Sequence, residues 1–183
     1  MANYASDGLV KLDCTFLGRL WGIYPYELQI QRLLKQLKYH YNLRLGASLA
    51  SLFRLDRQGI SFDAYDYILP IPLHYKKKAY RGYNQVSVLF SSLLQYDSYN
   101  ESLLIRHKAT RPLYAFTPDK RKVILDDSFS LQSGVSFLGK RILILDDIMT
   151  TGYTLSSVGH LLFNAGASHV DGLVFAYPSG CSQ

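Results

Sequence analysis

The apolar residues in the first third of the chain are spaced as they are in amphipathic helices. Leucine and isoleucine recur at intervals of three and four over residues 26–41, and the same spacing continues over residues 43–57. Gly59 follows the second segment, at a position typical of a helix end. We therefore predict two helices, which form a helical preface over residues 1–60.

From residue 65 the pattern changes to short apolar strands that alternate with helices. Strands are predicted at residues 67–73, 103–107, 141–146 and 169–177. Helices are predicted between them, at residues 83–95, 118–125 and 153–164. Residues 108–116 have no clear period and are predicted to form a mobile surface loop. Strands that alternate with helices predict an α/β fold, in which a right-handed parallel sheet carries helices on both faces.

The composition narrows the class of protein. The 183 residues are 48% hydrophobic, 14% aromatic and 19% charged, which favours one globular domain and argues against a disordered chain. The longest apolar stretches fall far short of the roughly 20 residues that cross a bilayer, so no membrane insertion is expected. The formal charge of +6 favours anionic partners such as phosphates, nucleotides or nucleic acid, although a merely solvated basic surface fits the charge equally well.

The ends of the chain bear on location and on metal binding. The first seven residues lack the basic start and apolar core of a secretory signal, which predicts a cytoplasmic location. Cys14 and Cys181 lie near opposite ends and form no CxxC pair. They therefore predict neither a disulfide framework nor a zinc site.

Residues 142–154 carry the strongest chemical pattern. An apolar strand ends in Asp146 and Asp147, and a run of small or hydroxylated residues with Gly152 precedes the next helix. Backbone N–H groups at the start of that helix can bind a phosphate, and a glycine lets the backbone approach it closely. Hydroxyl groups that can assist are those of Thr150, Thr151 and Thr154.

Two carboxylates beside a phosphate cradle call for a ligand that also offers hydroxyl groups or a metal, and a ribose 5-phosphate offers both. The alternative is that the acids cap a strand and the threonines cap a helix. A receiver domain also places paired acids at strand tips, but it lacks the threonine and glycine run directly after them. The whole segment resembles the phosphoribosyl pyrophosphate (PRPP) signature of the type I phosphoribosyltransferases, in which the phosphate-binding positions would be Ile148, Met149, Thr150, Thr151, Gly152, Tyr153 and Thr154.

A second segment, residues 70–85, follows the first core strand and is predicted as a basic loop. It is similar to a proline-leucine-histidine, basic, arginine-glycine-aromatic-asparagine-glutamine segment of the ComF competence proteins. The positions that match that family are Arg81, Gly82, Asn84 and Gln85, with Tyr83 at the aromatic position. A basic loop next to the cradle would supply cations to a pyrophosphate, and we assign His74, Lys76 and Arg81 to phosphate binding.

A third segment, about residues 106–130, resembles the flexible loop and hood of the ComF proteins and contributes Arg106 and Arg111 to the predicted phosphate site. It departs from that family at Leu113 and Ile124, so its part in recognising a base stays open. ComF proteins usually carry a cysteine-rich zinc module at the N-terminus, where this chain has only Cys14. A lost module and a shortened chain explain this equally well.

The resemblance implies a type I phosphoribosyltransferase fold with a small hood, in one domain over residues 1–183 whose PRPP-binding core spans residues 65–178. It implies Mg²⁺ as cofactor. It assigns Asp146 and Asp147 as catalytic residues that hold the ribose hydroxyls. Binding of Mg²⁺ by the same two carboxylates is an alternative that the resemblance leaves open. Arg81 and Lys76 would face the pyrophosphate, and residues 108–116 would close as a lid.

Two functional hypotheses are left open. In the first, the protein is an enzyme that transfers phosphoribosyl from PRPP to an unknown nitrogen acceptor. In the second, it is a non-catalytic PRPP-sensing or single-stranded-DNA-binding adapter among the competence proteins, in the cytoplasm and peripheral at the inner membrane. DNA would contact the basic segments around the cradle or a separate face with Arg32, Lys35, Lys38 and Arg44.

Overall fold

The computed structural model describes residues 10–11, 17–39, 43–52, 59–107 and 128–179. The predicted loop at 108–116, the predicted helix at 118–125 and Arg111 lie outside these residues. Nothing in the described part is a helix long and apolar enough to cross a membrane.

A five-stranded sheet forms the centre of the molecule. Its strands lie in the order β1-β2-β7-β6-β3, and all neighbours are parallel except the antiparallel pair β1 and β2. The strands are β1 (Val10–Lys11), β2 (Leu20–Pro25), β3 (Tyr67–Pro70), β6 (Arg141–Ile148) and β7 (His169–Tyr177). A second, two-stranded antiparallel sheet consists of β4 (Leu104–Arg106) and β5 (Phe129–Leu131).

Helices cover both faces of the central sheet. They are α1 (Leu28–Tyr39), α2 (Leu43–Leu52), α3 (Tyr75–Arg81), α4 (Gln85–Leu89) and α5 (Tyr153–Asn164), with 3₁₀ turns at Phe62–Ala64 and Ser91–Gln95. Side chains of successive strand residues point to opposite faces, so β6 is apolar on both. Ile142 and Ile144 pack in the core that includes α5 and the small sheet, whereas Leu143 and Leu145 pack in the core that includes α1, α2 and α4.

The predicted α/β class, with a parallel sheet flanked by helices, is confirmed, and so are the helices at α1 and α5 and the strands at β6 and β7. The sequence pattern missed β1, β2 and β5. Two of these strands lie within residues 1–60, so the predicted helical preface also supplies the edge of the main sheet. β2 forms because it pairs with β7, where Gly172 leaves room for Leu20: a Cβ at position 172 would lie 2.6 Å from the Leu20 Cδ1 atom.

Two local predictions are corrected between residues 74 and 95. The basic segment after β3 was expected to be a loop and instead forms helix α3, which His74 caps through its ring nitrogen. The helix expected over 83–95 is divided at Phe90 into α4 and a 3₁₀ turn. Phe90 is fully buried against Phe175, so packing decides the break.

Candidate functional site

Asp146 and Asp147 lie at the carboxyl end of β6, next to the end of β3. Parallel sheets bind ligands at this edge. Both aspartates are buried, and the Asp147 backbone N–H donates to Asp146 Oδ1 at 2.8 Å. The two carboxylates are thereby held side by side.

Lys38 at the end of α1 makes an ion pair with Asp147. The distance from Lys38 Nζ to Asp147 Oδ2 is 2.6 Å, and Gln85 Nε2 donates to the same oxygen at 3.2 Å. Asp147 shares its strand face with Leu143 and Leu145, which pack in the core that includes α1. This alternation explains why α1 reaches Asp147.

The two acids differ in proton affinity. Burial, helped by the neighbouring Asp147 charge, raises the pKa of Asp146 to about 8. Burial would also raise the pKa of Asp147, but the charge and hydrogen bond of Lys38 and the hydrogen bond of Gln85 outweigh it and lower that pKa. Within the pair, the negative charge is therefore favoured on Asp147 and the proton on Asp146.

The matching segment 81–85 builds the wall beside the acids. Arg81 Nη1 donates to Gln85 Oε1, and Gln85 in turn donates to Asp147. Gly82 ends α3 with a φ of 79°, a left-handed conformation that favours glycine. A chain of side-chain contacts thus joins Arg81 to Asp147 and on to Lys38.

The other two residues of that segment hold neighbouring elements. The Tyr83 hydroxyl donates to the Leu37 carbonyl in the last turn of α1. Asn84 caps α4 by accepting from the Val86 N–H at 3.1 Å, and its Nδ2 donates to the Ile71 carbonyl at 3.0 Å. The segment therefore fixes α1 and the turn after β3 against the end of β6.

A cleft with a cavity volume of about 250 Å³ opens beside the acid pair. Among the described residues, four cations line it: Lys38, Lys77, Arg81 and Arg106. They come from three separate elements, namely α1, α3 and β4. Cations from three sides around two acids suit a ligand that carries both phosphate and hydroxyl groups.

The cations are close enough to affect one another. Lys77 is exposed at its surface, but partial desolvation in the cleft lowers its pKa, and the charges of Arg106, Arg81 and Lys38 lower it further. Burial also lowers the pKa of Arg106, against the opposing charges of both acids. The Arg106 guanidinium carbon lies 5.2 Å from the centre of the Phe129 ring, which holds it as a cation–π contact. A polyanion would relieve the repulsion among these cations.

The predicted cradle adjoins this cleft. Asp146, Ile148 and Thr154 line both depressions, and the cradle also includes Thr150, Thr151 and Gly152. Gly152 precedes α5 with a φ of 72°, and no side-chain cap occupies the start of that helix among the residues described. Backbone N–H groups at a helix start without a side-chain cap can bind an anion.

Not every predicted phosphate-binding residue exposes its side chain to the cradle. Met149 is buried in the core, and its backbone N–H donates to the Ala176 carbonyl at 2.9 Å. Tyr153 is partly buried against the same core. These positions contribute backbone and packing to the cradle.

His74 and Lys76 are placed differently from the cleft residues. His74 is buried and accepts from the Lys76 N–H as the cap of α3, while Lys76 Nζ lies 6.0 Å from the centre of the Tyr75 ring. The lysine of α3 that lines the cleft is Lys77. Sequence reasoning gave Lys77 no role because three consecutive lysines usually form a solvated run, and it had no local signal that Lys38 would reach Asp147.

The acid pair does not fit a magnesium site held by the protein alone. Mg²⁺ requires near-octahedral oxygen ligation. Asp147 Oδ2 is engaged by Lys38 and Gln85, and Asp146 Oδ1 by a backbone N–H. Within the described ranges, no three or more His, Cys, Asp or Glu side chains group as metal ligands. Any Mg²⁺ would have to be held mainly by a ligand's own phosphates.

A larger open depression of about 560 Å³ lies near the opposite edge of the sheet, before β3. Its lining includes Asp63 and Asp97 and no lysine or arginine among the residues described. It is therefore a poor anion site, although its volume exceeds that of the cleft.

Known proteins similar to this chain agree with the resemblance to ComF proteins and phosphoribosyltransferases that its sequence motifs indicate. The family model described as phosphoribosyl transferase domain matches residues 115–181. DNA utilization protein YhgH of Escherichia coli (strain K12) is 27% identical over 158 residues, which are 83% of this chain and 69% of that protein. Competence protein F of Haemophilus influenzae is 28% identical over 151 residues, covering 81% of this chain and 66% of that one.

A solved hypoxanthine phosphoribosyltransferase from Staphylococcus aureus is 20% identical, with a TM-score of 0.38, over 84% of this chain and 65% of that one. The family model and the curated relatives confirm the resemblance to ComF-type competence proteins, and the parallel sheet flanked by helices together with that family model confirms the phosphoribosyltransferase-type fold class.

Proposed function

We propose that this ComF-like chain, with its phosphoribosyl transferase domain, binds PRPP or a related ribose 5-phosphate at the carboxyl edge of its sheet and serves DNA uptake. The observation that carries the proposal is the union of three features in one place: a glycine and threonine cradle, a buried acid pair and a ring of cations. The role in DNA uptake rests on the similarity to competence proteins.

The three parts of the ligand correspond to the three parts of the site. The 5-phosphate would accept hydrogen bonds from the backbone N–H groups at the start of α5 and from the threonines. Asp147 would accept from the ribose hydroxyls, and protonated Asp146 can donate as well as accept. The pyrophosphate would lie among Lys77, Arg81 and Arg106, where its charge offsets their mutual repulsion.

Magnesium enters this proposal with the ligand. Bound to PRPP, it would neutralise part of the charge on the pyrophosphate. The chain's own residues orient the ribose, hold the 5-phosphate and exclude water from the cleft.

The first form of the proposal is phosphoribosyl transfer. A nitrogen lone pair forms a bond to the ribose C1 carbon, the bond from C1 to the pyrophosphate oxygen breaks, and pyrophosphate leaves with that electron pair. The cleft cations stabilise the charge that develops on the leaving group.

The second form is an adapter that binds PRPP or single-stranded DNA without turnover. Helix α3 favours a nucleic-acid contact, because none of its residues is buried and it presents Tyr75, 65% exposed, and Tyr80, 83% exposed, among lysines. Exposed aromatic rings can stack on bases while nearby cations contact phosphates. Such a protein would act on the cytoplasmic side of the inner membrane, as the similarity to competence proteins implies.

Calorimetric titration with PRPP in the presence of Mg²⁺ tests the binding. The wild-type chain should bind it, and Asp146→Asn with Asp147→Asn should weaken binding by roughly 100-fold, since the ribose loses the charged acceptor at position 147 and the carboxyl group at position 146. Asp97→Asn with Asp63→Asn, in the depression at the other edge, is a matched control that should leave the affinity unchanged. Unchanged affinity in the folded acid-pair variant would remove the proposal.

A screen of nitrogen bases for pyrophosphate release separates the two forms. An enzyme should release pyrophosphate only with its acceptor, and Arg106→Gln should slow the release because a cation beside the leaving group is lost. Binding of PRPP without release in the presence of any base would favour the adapter.

A further inference from the structure

Lys38 is the cleft residue that local sequence patterns explain least. It belongs to α1, outside residues 115–181 that match the family model, and it is separated from Asp147 by more than half of the chain. Nevertheless its Nζ lies 2.6 Å from Asp147 Oδ2, in a side chain that is only 21% exposed.

The position of Lys38 is fixed by packing on either side of it. Leu34 and Leu37 of α1 are fully buried in the core beneath the sheet. The Tyr83 hydroxyl donates to the Leu37 carbonyl, which ties the last turn of α1 to the segment that carries Gln85. Lys38 and Gln85 therefore approach the same oxygen of Asp147 from two elements that are themselves joined.

This contact has an electrostatic consequence for an anionic ligand. A phosphorylated sugar that approaches a buried carboxylate meets repulsion unless the carboxylate is neutralised. Lys38 supplies that opposite charge from the protein, at the oxygen of Asp147 that Gln85 also engages. The two contacts at Oδ2 fix the orientation of the Asp147 carboxylate.

We propose that Lys38 is a positioning residue for the ribose end of the ligand: its ion pair fixes and neutralises Asp147, so that this carboxylate can accept a ribose hydroxyl from an anionic sugar phosphate. This inference rests on the proposed function and deepens it. It assigns a part of the ribose site to the N-terminal helix.

The experiment compares Lys38→Gln with Lys35→Gln, which makes the same change at an exposed position of the same helix. Affinities are measured by calorimetry for PRPP with Mg²⁺, for ribose 5-phosphate, and for inorganic pyrophosphate with Mg²⁺. Lys38→Gln should weaken PRPP and ribose 5-phosphate by roughly tenfold or more, because it leaves a buried charge unpaired. Lys35→Gln should change them by less than about twofold.

Pyrophosphate distinguishes positioning from simple attraction. It carries no ribose hydroxyl, so its affinity should change much less than that of ribose 5-phosphate. Equal losses for both ligands would overturn the proposal, because Lys38 would then act as one more cation of the cleft. Equal affinities of Lys38→Gln and wild type for the sugar phosphates would overturn it as well.

A double-mutant cycle with Asp147→Asn tests the route through Asp147. Once the carboxylate is an amide, removing Lys38 should cost little further affinity, so the two losses should not add. Additive losses would contradict the proposal. If circular dichroism shows that Lys38→Gln is unfolded, the affinity of Asp147→Asn is compared with that of the double variant, which lacks both charges. The two affinities should then be nearly equal, and a further loss in the double variant would contradict the proposal. A wild-type chain that binds no sugar phosphate would overturn the proposed function itself and this inference with it.

Discussion

At the scale of single residues, two adjacent aspartates acquire opposite properties from their surroundings. Burial and the neighbouring Asp147 charge raise the pKa of Asp146 to about 8, although the charges of Lys38 and Arg106 oppose that rise. Asp147 is equally buried, but Lys38 and Gln85 lower its pKa. The difference in pKa makes Asp146 the residue that favours a proton and Asp147 the residue that favours a negative charge. Residues with perturbed pKa values cluster at functional sites.

Asp146→Asn should remove a pH dependence of stability. An aspartate in the unfolded chain has a pKa of about 4, so the proton that folded Asp146 retains up to about pH 8 stabilises the fold at low pH. That contribution is full below the unfolded pKa and is lost as pH rises through the folded pKa. Asp147, whose pKa is lowered, is ionised over the whole range from pH 5 to 8 in both states.

Urea unfolding of wild type and Asp146→Asn at pH 5, 6, 7 and 8 measures this effect. The variant should gain stability relative to wild type as pH rises, on the order of 1–3 kcal/mol over the series. Asparagine keeps the oxygen that accepts from the Asp147 N–H, which isolates the titration. A constant difference between the two proteins across the series would contradict the raised pKa.

At the scale of elements, the start of α5 and the start of α4 are built by different means. Asn84 caps α4 with its own side chain, whereas α5 is preceded by Gly152, which has a φ of 72° and no side chain to cap the helix. A side chain cap would occupy the place of an anion. The cradle therefore depends on a backbone conformation that glycine adopts at low cost.

Gly152→Ala should reduce both stability and ligand affinity. A Cβ at position 152 would meet nothing within 4 Å, so the cost is that of the left-handed backbone alone, about 1–2 kcal/mol. Affinity for ribose 5-phosphate should fall by roughly tenfold as the N–H groups lose their alignment.

Gly134→Ala is the matched control for this prediction. Gly134 has a φ of 79° and equally open space, in an exposed turn after β5. It should lose similar stability in thermal unfolding and keep the affinity of wild type in calorimetry. Equal affinities of the two variants would argue against a phosphate at the start of α5.

At the scale of the whole molecule, the fold gathers cations that are far apart in the sequence. Lys38, Lys77 and Arg106 come from α1, α3 and β4 and meet around the acids. Lys38 therefore does not belong to a separate outer basic face, as the sequence had allowed. The remaining residues of that face are Arg32, Lys35 and Arg44, each exposed.

We expect single-stranded DNA and PRPP to compete, because cations of α3 line the cleft. DNA phosphates and the pyrophosphate would share the cations of α3. A saturating concentration of PRPP, with Mg²⁺ present, should therefore weaken DNA binding several-fold, and DNA should weaken PRPP binding by the same factor. The measurement is fluorescence anisotropy of a labelled oligonucleotide at constant ionic strength and free Mg²⁺.

The salt dependence completes the test. Log affinity for DNA should fall linearly with log salt, without sequence preference, because the expected contacts are to phosphates. Tyr80→Ala should weaken DNA binding and leave PRPP binding unchanged, since this exposed residue is not among those that line the cleft. An affinity for DNA that PRPP does not alter would move the DNA to the face with Arg32, Lys35 and Arg44.

The sequence by itself determined the features that depend on neighbouring residues. Apolar periodicity located α1, α5, β6 and β7, because a buried face must repeat with the geometry of its element. The order of acids, hydroxyl groups and glycine over residues 142–154 predicted a strand end followed by a helix start, because both are local structures, and this is where we propose the phosphate cradle. The segment 81–85 was recognised from its residues, although its contacts were not.

Tertiary structure decided what depends on distant partners. β2 is a strand because it pairs with β7, and α4 stops where Phe90 packs on Phe175. The different pKa values of Asp146 and Asp147 follow from burial and from Lys38, which no local pattern connects to them. Side-chain alternation on β6 turns Asp147 toward α1, and the Tyr83 contact holds the end of that helix in place. A charge finds its partner through the packing of whole elements, which a local sequence pattern does not encode.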